Sequence, residues 1–219
     1  MSTVDEFFCG RRSVRRFSDK PIERPIIERL MQLATSAPSA SNKQPWRFVI
    51  VRDRAVISAM ASAVREEIHR VLDNMDESGV EAFRSYGEYF TRFEAAPCVI
   101  APTCRATPIL SQLVKPSLDE ATRQRIIAME HKSASVSTAL AIENLLLAAP
   151  QLGLGASPLT GPLLAAHRLS ELMKIPASWD LLALIAVGYP DEEPRKTERK
   201  PVDSVLRWID GDDGDRTHD

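Results

Sequence analysis

Two prolines, Pro38 and Pro45, constrain this chain more than any other feature. Pro38 bars its predecessor from the helical region, so the helix before it stops at about Ala37. That helix, Pro25 to Ala37, carries Ile26, Ile27, Leu30, Met31 and Ala34 at the i, i+3, i+4 spacing of one buried face. Pro45 fixes the entry into Trp46 to Val51, a short apolar run with β-branched residues that reads as a buried strand. Between them Ser39, Ser41, Asn42 and Gln44 form a stiff polar loop held between a helix and a core strand. An ordinary helix-to-strand turn has the same serine and proline content. The primary amides of Asn42 and Gln44 add both donors and acceptors, as the edge of a heterocycle requires.

The remaining segments read as few strands among many helices. Val4 to Arg12 predicts a first helix, and Asp53 is placed to cap a helix running to about Asn74. Cys98 to Thr103, Gly153 to Gly161 and Leu181 to Val187 read as strands, the middle one built of small residues that admit a ligand closely. Arg105 to Leu118, with Pro108 and Pro116, reads as a loop or mobile excursion. Ser133 to Gln151 predicts a long helix, apolar on most faces, which belongs at the centre or at a subunit interface. Pro150 is expected to end or kink it. Pro162 to Ile175 reads as a further helix. This pattern predicts an α+β fold, a central and mostly antiparallel sheet flanked by helices. Residues 1–210 are expected to form one domain and 211–219 a polar, disordered tail.

The aromatics are unevenly placed. Phe83, Tyr86, Tyr89, Phe90 and Phe93 are half of the chain's seven Phe and three Tyr. They fall in the segment 75–94, which is either a helix docked on the core or an aromatic lid over a flat ligand.

Charge and composition exclude several classes. A net charge of −2 supplies no global field for nucleic acid or an anionic membrane. No apolar run approaches the roughly 20 residues of a membrane helix. The acidic N-terminus lacks a signal-peptide pattern, and Cys9, Cys98 and Cys104 suggest reduced thiols, so a cytoplasmic protein is expected. His69, His131, His167 and His218 show no ligand spacing, so no metal is expected. Gly153-Leu154-Gly155-Ala156-Ser157-Pro158 fails the dinucleotide-binding fingerprint, because Pro158 stands where the third glycine belongs.

The second marked stretch is Gly10-Arg11-Arg12-Ser13-Val14-Arg15-Arg16-Phe17. Arginine's planar fork suits phosphate or carboxylate, although a basic run is often only a solvated face. Followed by Ala37-Pro38-Ser39 through Asn42, Gln44, Pro45 and Trp46, then Gly153-Leu154-Gly155, Val187-Gly188-Tyr189-Pro190 and Arg199-Lys200-Pro201, it resembles the nitroreductase family of FMN-dependent oxidoreductases.

The resemblance implies a nitroreductase-like fold and an intertwined homodimer with FMN in a groove between the subunits. It implies that Arg11, Ser13 and Arg15 hold the phosphate, ribityl and ring-edge oxygens, with Arg12 contributing locally. Arg199, beside Lys200, is expected to clamp the phosphate. Pro38, Ser39, Asn42 and Gln44 are expected to line the flavin of the partner chain. Ala156 and Ser157 are expected near flavin N5, Ser157 either as a hydroxyl donor that tunes it or as a small packing residue. No catalytic side chain is assigned, because the flavin carries the redox chemistry. Thr197 departs from the family, in which many members carry lysine two residues before the arginine. The activity implied is ping-pong transfer from NAD(P)H to a nitroaromatic, quinone or related small acceptor. Two alternatives stand beside it: a reductive dehalogenase or flavin-fragmenting enzyme of the same fold, and a non-catalytic flavin-binding protein. Ser157-Pro158-Leu159 points toward the halotyrosine deiodinases, whereas Asn42-Lys43-Gln44 looks more like nitroreductases, and the deiodinase Glu, Tyr and Lys set has no match in 75–94.

Overall fold

The computed structural model describes residues 3–209; the expected tail at 211–219 lies outside them. Five strands form one sheet in the order β1 (Trp46–Val51), β2 (Cys98–Cys104), β5 (Leu184–Gly188), β3 (Gly155–Leu159), with the two-residue β4 (Asp180–Leu181) also on β2. Every pairing is antiparallel, as in Trp46 opposite Cys104 and Gly155 opposite Gly188.

All seven residues of β2 are buried, so both faces of the sheet are covered. The alternation of a strand divides them. Val99 and Ala101 join Leu184 and Ala186 in a core with Ile57, Met60 and Val64 of α3 (Arg54–Leu72) and Leu169 of α7 (Ala166–Leu172). Cys98 and Ile100 join Ile185 and Val187 in a second core with Leu30 of α2 (Arg24–Ala34) and Leu145 and Ala149 of α6 (Glu120–Gln151). Burial pushes the Cys98 thiol up to about 12, the Arg52 charge only partly opposing it, so it stays a protonated apolar group.

Local chemistry explains the boundaries. Asp53 caps α3 by accepting from the N–H groups of Ala55 and Val56. Helix α1 (Thr3–Gly10) precedes the arginines. Helix α2 ends at Ala34, three residues before the position Pro38 alone requires, because Thr35 and Ser36 turn their hydroxyls onto the carbonyls of Met31 and Leu33.

Helix α6 is thirteen residues longer at its start than the apolar run from Ser133 predicts. Asp119 caps it through the Thr122 N–H, and the added turns mix Glu120, Arg123, Arg125, Glu130 and Lys132 with Ile126, Ile127 and Met129. Pro150 sits in its last turn and does not kink it earlier. The segment Leu181 to Val187 is interrupted at Leu182–Ala183 and divides between β4 and β5. The helix expected from Pro162 begins as a 3-10 turn, Gly161–Ala165.

Two segments differ from the expectation. The aromatic segment is α4 (Glu77–Gly87) followed by a 3-10 stretch, Glu88–Ala95; Phe90 and Phe93 enter the α3 core, while Tyr86 and Tyr89 stay exposed. Gly161 leaves room for the Phe90 ring, since a Cβ there would stand 2.1 Å from it. The excursion 105–118 is pinned rather than loose. It contains α5 (Leu110–Leu113), whose first N–H groups meet a buried carboxylate: Ile109 N at 2.8 Å and Leu110 N at 2.7 Å donate to Glu130 Oε1. The Ser111 hydroxyl donates to Glu130 Oε2 at 2.6 Å.

Candidate functional site

Two loops carry the residues singled out above. The first leaves α1 and runs along β3. Val14 N donates to the Ala156 carbonyl at 3.1 Å, and Ser13 pairs with Ala156 in a parallel bridge. Gly155 is required by this approach: a Cβ there would lie 2.6 Å from that of Val14. The small residues of β3 thus make room for the chain's own arginine loop, not only for a ligand. Ser13 is brought beside Ala156 and its neighbour Ser157, both buried. The Ser157 hydroxyl has no hydrogen-bond partner among the described residues, and since no buried side-chain polar atom among them lacks one, its oxygen is open to solvent.

The four arginines are not equivalent. Arg12 donates to the carbonyls of Cys9 at 2.6 Å and Arg11 at 2.8 Å, closing the open end of α1. Arg16 faces Glu192, with Nε 3.6 Å from Oε2. Arg15 reaches only the Ser13 carbonyl, at 3.3 Å. Among the described residues neither Arg11 nor Arg15 is in an ion pair, so two guanidiniums remain uncommitted to a carboxylate. Such a donor set fits a phosphate dianion, which needs more than one cation.

The second loop is Ser39–Gln44. Ser41 (φ 52°), Asn42 (φ 51°) and Gln44 (φ 46°) take left-handed backbone, three of the four non-glycine residues that do so among the described residues. Each costs roughly 1–2 kcal/mol, so the surrounding bonds must hold them. Gln44 N donates to Ser39 Oγ at 3.0 Å, and Gln44 Nε2 to Asn42 Oδ1 at 3.2 Å. Ala40 N donates at 3.2 Å to the hydroxyl of buried Ser137 on α6, which in turn donates a hydrogen bond to the Ser133 carbonyl at 2.8 Å. The strain and Ser137 are invisible in the sequence, because neither polar residues in a loop nor one serine in a long helix marks them.

Pro38 and Ser39 form one wall of an open groove of about 400 Å³, whose other wall is Met129, Val136 and Leu140 of α6. Those three are 53%, 52% and 44% exposed, an apolar helix face without cover from its own chain.

Arg199 and Lys200 lie on an exposed arm beyond β5. Arg199 Nη1 donates to the Thr197 hydroxyl oxygen at 2.7 Å, so the departure at Thr197 orients the arginine without adding charge. Among the described residues no hydrogen bond or ion pair joins this arm's Arg199, the arginine loop and the Ser39–Gln44 loop to one another. One chain therefore presents three separate parts of the expected site. No group of three His, Cys, Asp or Glu side chains among the described residues could hold a metal. No helix among them is long and apolar enough to cross a membrane.

The nitroreductase family model matches residues 9–189. A protein described as NADH dehydrogenase from Thermus thermophilus is 29% identical over 213 residues, covering 90% of this chain and 92% of that one. A 5,6-dimethylbenzimidazole synthase from Rhodospirillum rubrum is 30% identical over 201 residues, covering 87% and 83%. The fold matches a crystal structure of oxidized iodotyrosine deiodinase bound to FMN and 3-iodo-L-tyrosine, with a TM-score of 0.71, 23% identity, and 95% and 100% of the two chains covered.

Proposed function

This chain belongs to the nitroreductase family, and from that premise we propose that it is an FMN-dependent oxidoreductase that takes reducing equivalents from NAD(P)H. The observation that carries this is the arginine loop: guanidiniums at Arg11 and Arg15 that are in no ion pair among the described residues, on a loop held by backbone pairing beside Ala156 and Ser157. A relative described as NADH dehydrogenase supports the nicotinamide donor, and the FMN-bound deiodinase supports the flavin.

Bound FMN would supply a relay for hydride from NAD(P)H to a small acceptor. The chain's residues do the rest. Arg11 and Arg15 bind anionic oxygens, and Arg199 adds a cation from the arm. The strained loop presents Ser39, Asn42 and Gln44 already oriented, so less ordering is left for the binding step. Ser157 offers an uncommitted hydroxyl at β3; an unchanged potential of bound flavin in Ser157→Ala would remove it from any tuning role. Tyr86 and Tyr89, exposed beside the aromatic core, are the part of 75–94 that can meet a flat acceptor.

The functional unit is proposed as a homodimer. The bare face of α6 and the exposed Val202, Val205, Leu206 and Trp208 of the arm have too little cover in one chain. Light scattering at low micromolar concentration should give twice the chain mass; an FMN-loaded monomer would defeat the proposal.

The activity has a direct test. The purified protein should show an oxidised-flavin spectrum, bleach on addition of NADPH or NADH, and recover with a nitroaromatic or quinone. The synthase and deiodinase relatives give the second reading, a specialised flavoenzyme, its weight. Destruction of the flavin under oxygen, or turnover of a halotyrosine with no nitroaromatic reduction, would favour it. Bound flavin that never bleaches with either nucleotide would leave a non-catalytic flavin-binding protein.

A further inference from the structure

The arginine loop is held on two sides. At Ser13 and Val14 it pairs with β3; from Phe17 it pairs with the chain leaving β5. On that second side Ser18 N donates to the Tyr189 carbonyl and Asp191 N to the Arg16 carbonyl, each at 3.0 Å. The arm beyond has no regular structure until Val202. At the boundary, one oxygen of Glu192 accepts from Arg15 N at 2.5 Å and Arg16 N at 3.0 Å. Two successive N–H groups converging on one oxygen make a small anion seat, and here the chain fills it itself.

We propose that Glu192 is a positioning residue for the arginine loop: its carboxylate on the Arg15 and Arg16 N–H groups sets the direction in which the Arg15 side chain leaves the backbone, and ties that loop to the arm carrying Arg199. The role assigned to Arg15 rests on the FMN site proposed above; the hold on the loop does not.

Three observations support it. The Glu192 side chain is only 19% exposed, whereas Arg16 beside it is 74% exposed; Oε1 is turned inward onto the two backbone N–H groups, and Oε2 alone faces the Arg16 guanidinium, at 3.6 Å. The Arg15 N–H bond, against desolvation and with help from the Arg16 N–H, holds the carboxyl below the ordinary glutamate range. A negative charge next to a phosphate site is a cost, so its presence there is explained by geometry rather than by attraction for the ligand. Its seat also removes the Arg15–Arg16 N–H pair from the donors open to a phosphate, leaving the guanidiniums to do the binding.

An amide oxygen can take both N–H groups, so E192Q keeps the geometry and drops the charge, while E192A drops both. In the flavin-free full chain, amide exchange of the peptide spanning 13–18 should accelerate in E192A and stay as in the wild type in E192Q. In the flavin-loaded proteins, E192A should weaken FMN on the order of tenfold and alter the visible circular dichroism of the bound ring; E192Q should remain within about threefold. Unchanged exchange in E192A, or equal damage in both variants, overturns the proposal. So does exchange that rises uniformly over the whole chain with a lowered melting temperature, which assigns Glu192 to stability alone. If the wild type binds no FMN, the proposed function fails, and the exchange result still decides whether Glu192 holds the loop.

Discussion

Arg199→Ala should bind FMN about ten- to hundredfold more weakly than the wild type, while Arg12→Ala should differ from it by less than about threefold. The two residues look alike as part of a basic motif and differ in what their guanidiniums already do. Arg12 is committed to the carbonyls of Cys9 and Arg11, so its removal frays the end of α1 and leaves the phosphate contacts in place. Arg199 stands on an exposed arm with only the Thr197 hydroxyl and the Glu198 carbonyl as partners. Losing one charge-assisted bond to phosphate is worth about 1.5–3 kcal/mol, which is the fold-change expected. Fluorescence titration with FMN and with riboflavin separates the causes. The Arg199 effect should vanish with riboflavin, which has no phosphate, and should shrink as salt is raised. Equal weakening in both variants, or an Arg199 effect that persists with riboflavin, would remove the phosphate clamp.

How much of this was legible in the sequence depends on whether the signal was local. Pro38 and Pro45 announce a break and a strand entry, and β1 runs from Trp46 to Val51 as expected. Asp53 announces a cap, and the cap is there. The α+β class follows from short apolar runs set among helices, and the sheet is antiparallel throughout its named strands. The start of α6 carries little signal because Glu120, Arg123 and Arg125 precede Ile126, its first large apolar residue, so no apolar stripe marks the first turns. The site was legible only in its motifs. Glu192, Ser137 and Glu130 act on segments 177, 97 and about 20 residues away in sequence, and their partners are backbone N–H groups, which every residue has. A contact to backbone leaves no trace in the residue types it joins. Gly155 misled for a related reason: a missing Cβ reports a close approach, and here the approaching group is Val14.

Glu130 gives the largest expected change in stability. It is the one charged residue among the buried ones described, and it meets no cation. Its charge is balanced by N–H groups at the start of α5 and by the Ser111 hydroxyl. Desolvation alone would raise its pKa. The bonds from Ser111, Ile109 and Leu110 outweigh it, and the carboxyl lies below its ordinary range. Glu130→Ala removes the acceptor and strands those N–H groups, at a cost of about 2–4 kcal/mol, limited by how far 105–118 can fray into water. Glu130→Gln keeps one acceptor oxygen and should cost about 1 kcal/mol.

The sign of the pH effect follows from the direction of the shift. A carboxyl with its folded pKa below its unfolded value stabilises the fold above the unfolded value, about 4.3, and that contribution fades as pH falls through the folded one. The stability gap between wild type and Glu130→Gln should therefore be full at neutral pH and close progressively below about pH 4.3. Urea unfolding at a series of pH values reads this directly, as a shift of midpoint at constant slope. A gap that stays open in acid would mean that shape, not charge, holds the excursion. In Glu130→Ala, faster amide exchange confined to 105–118 would show where the loss is taken up, since the core elements that α6 buries against β2 do not depend on this carboxylate.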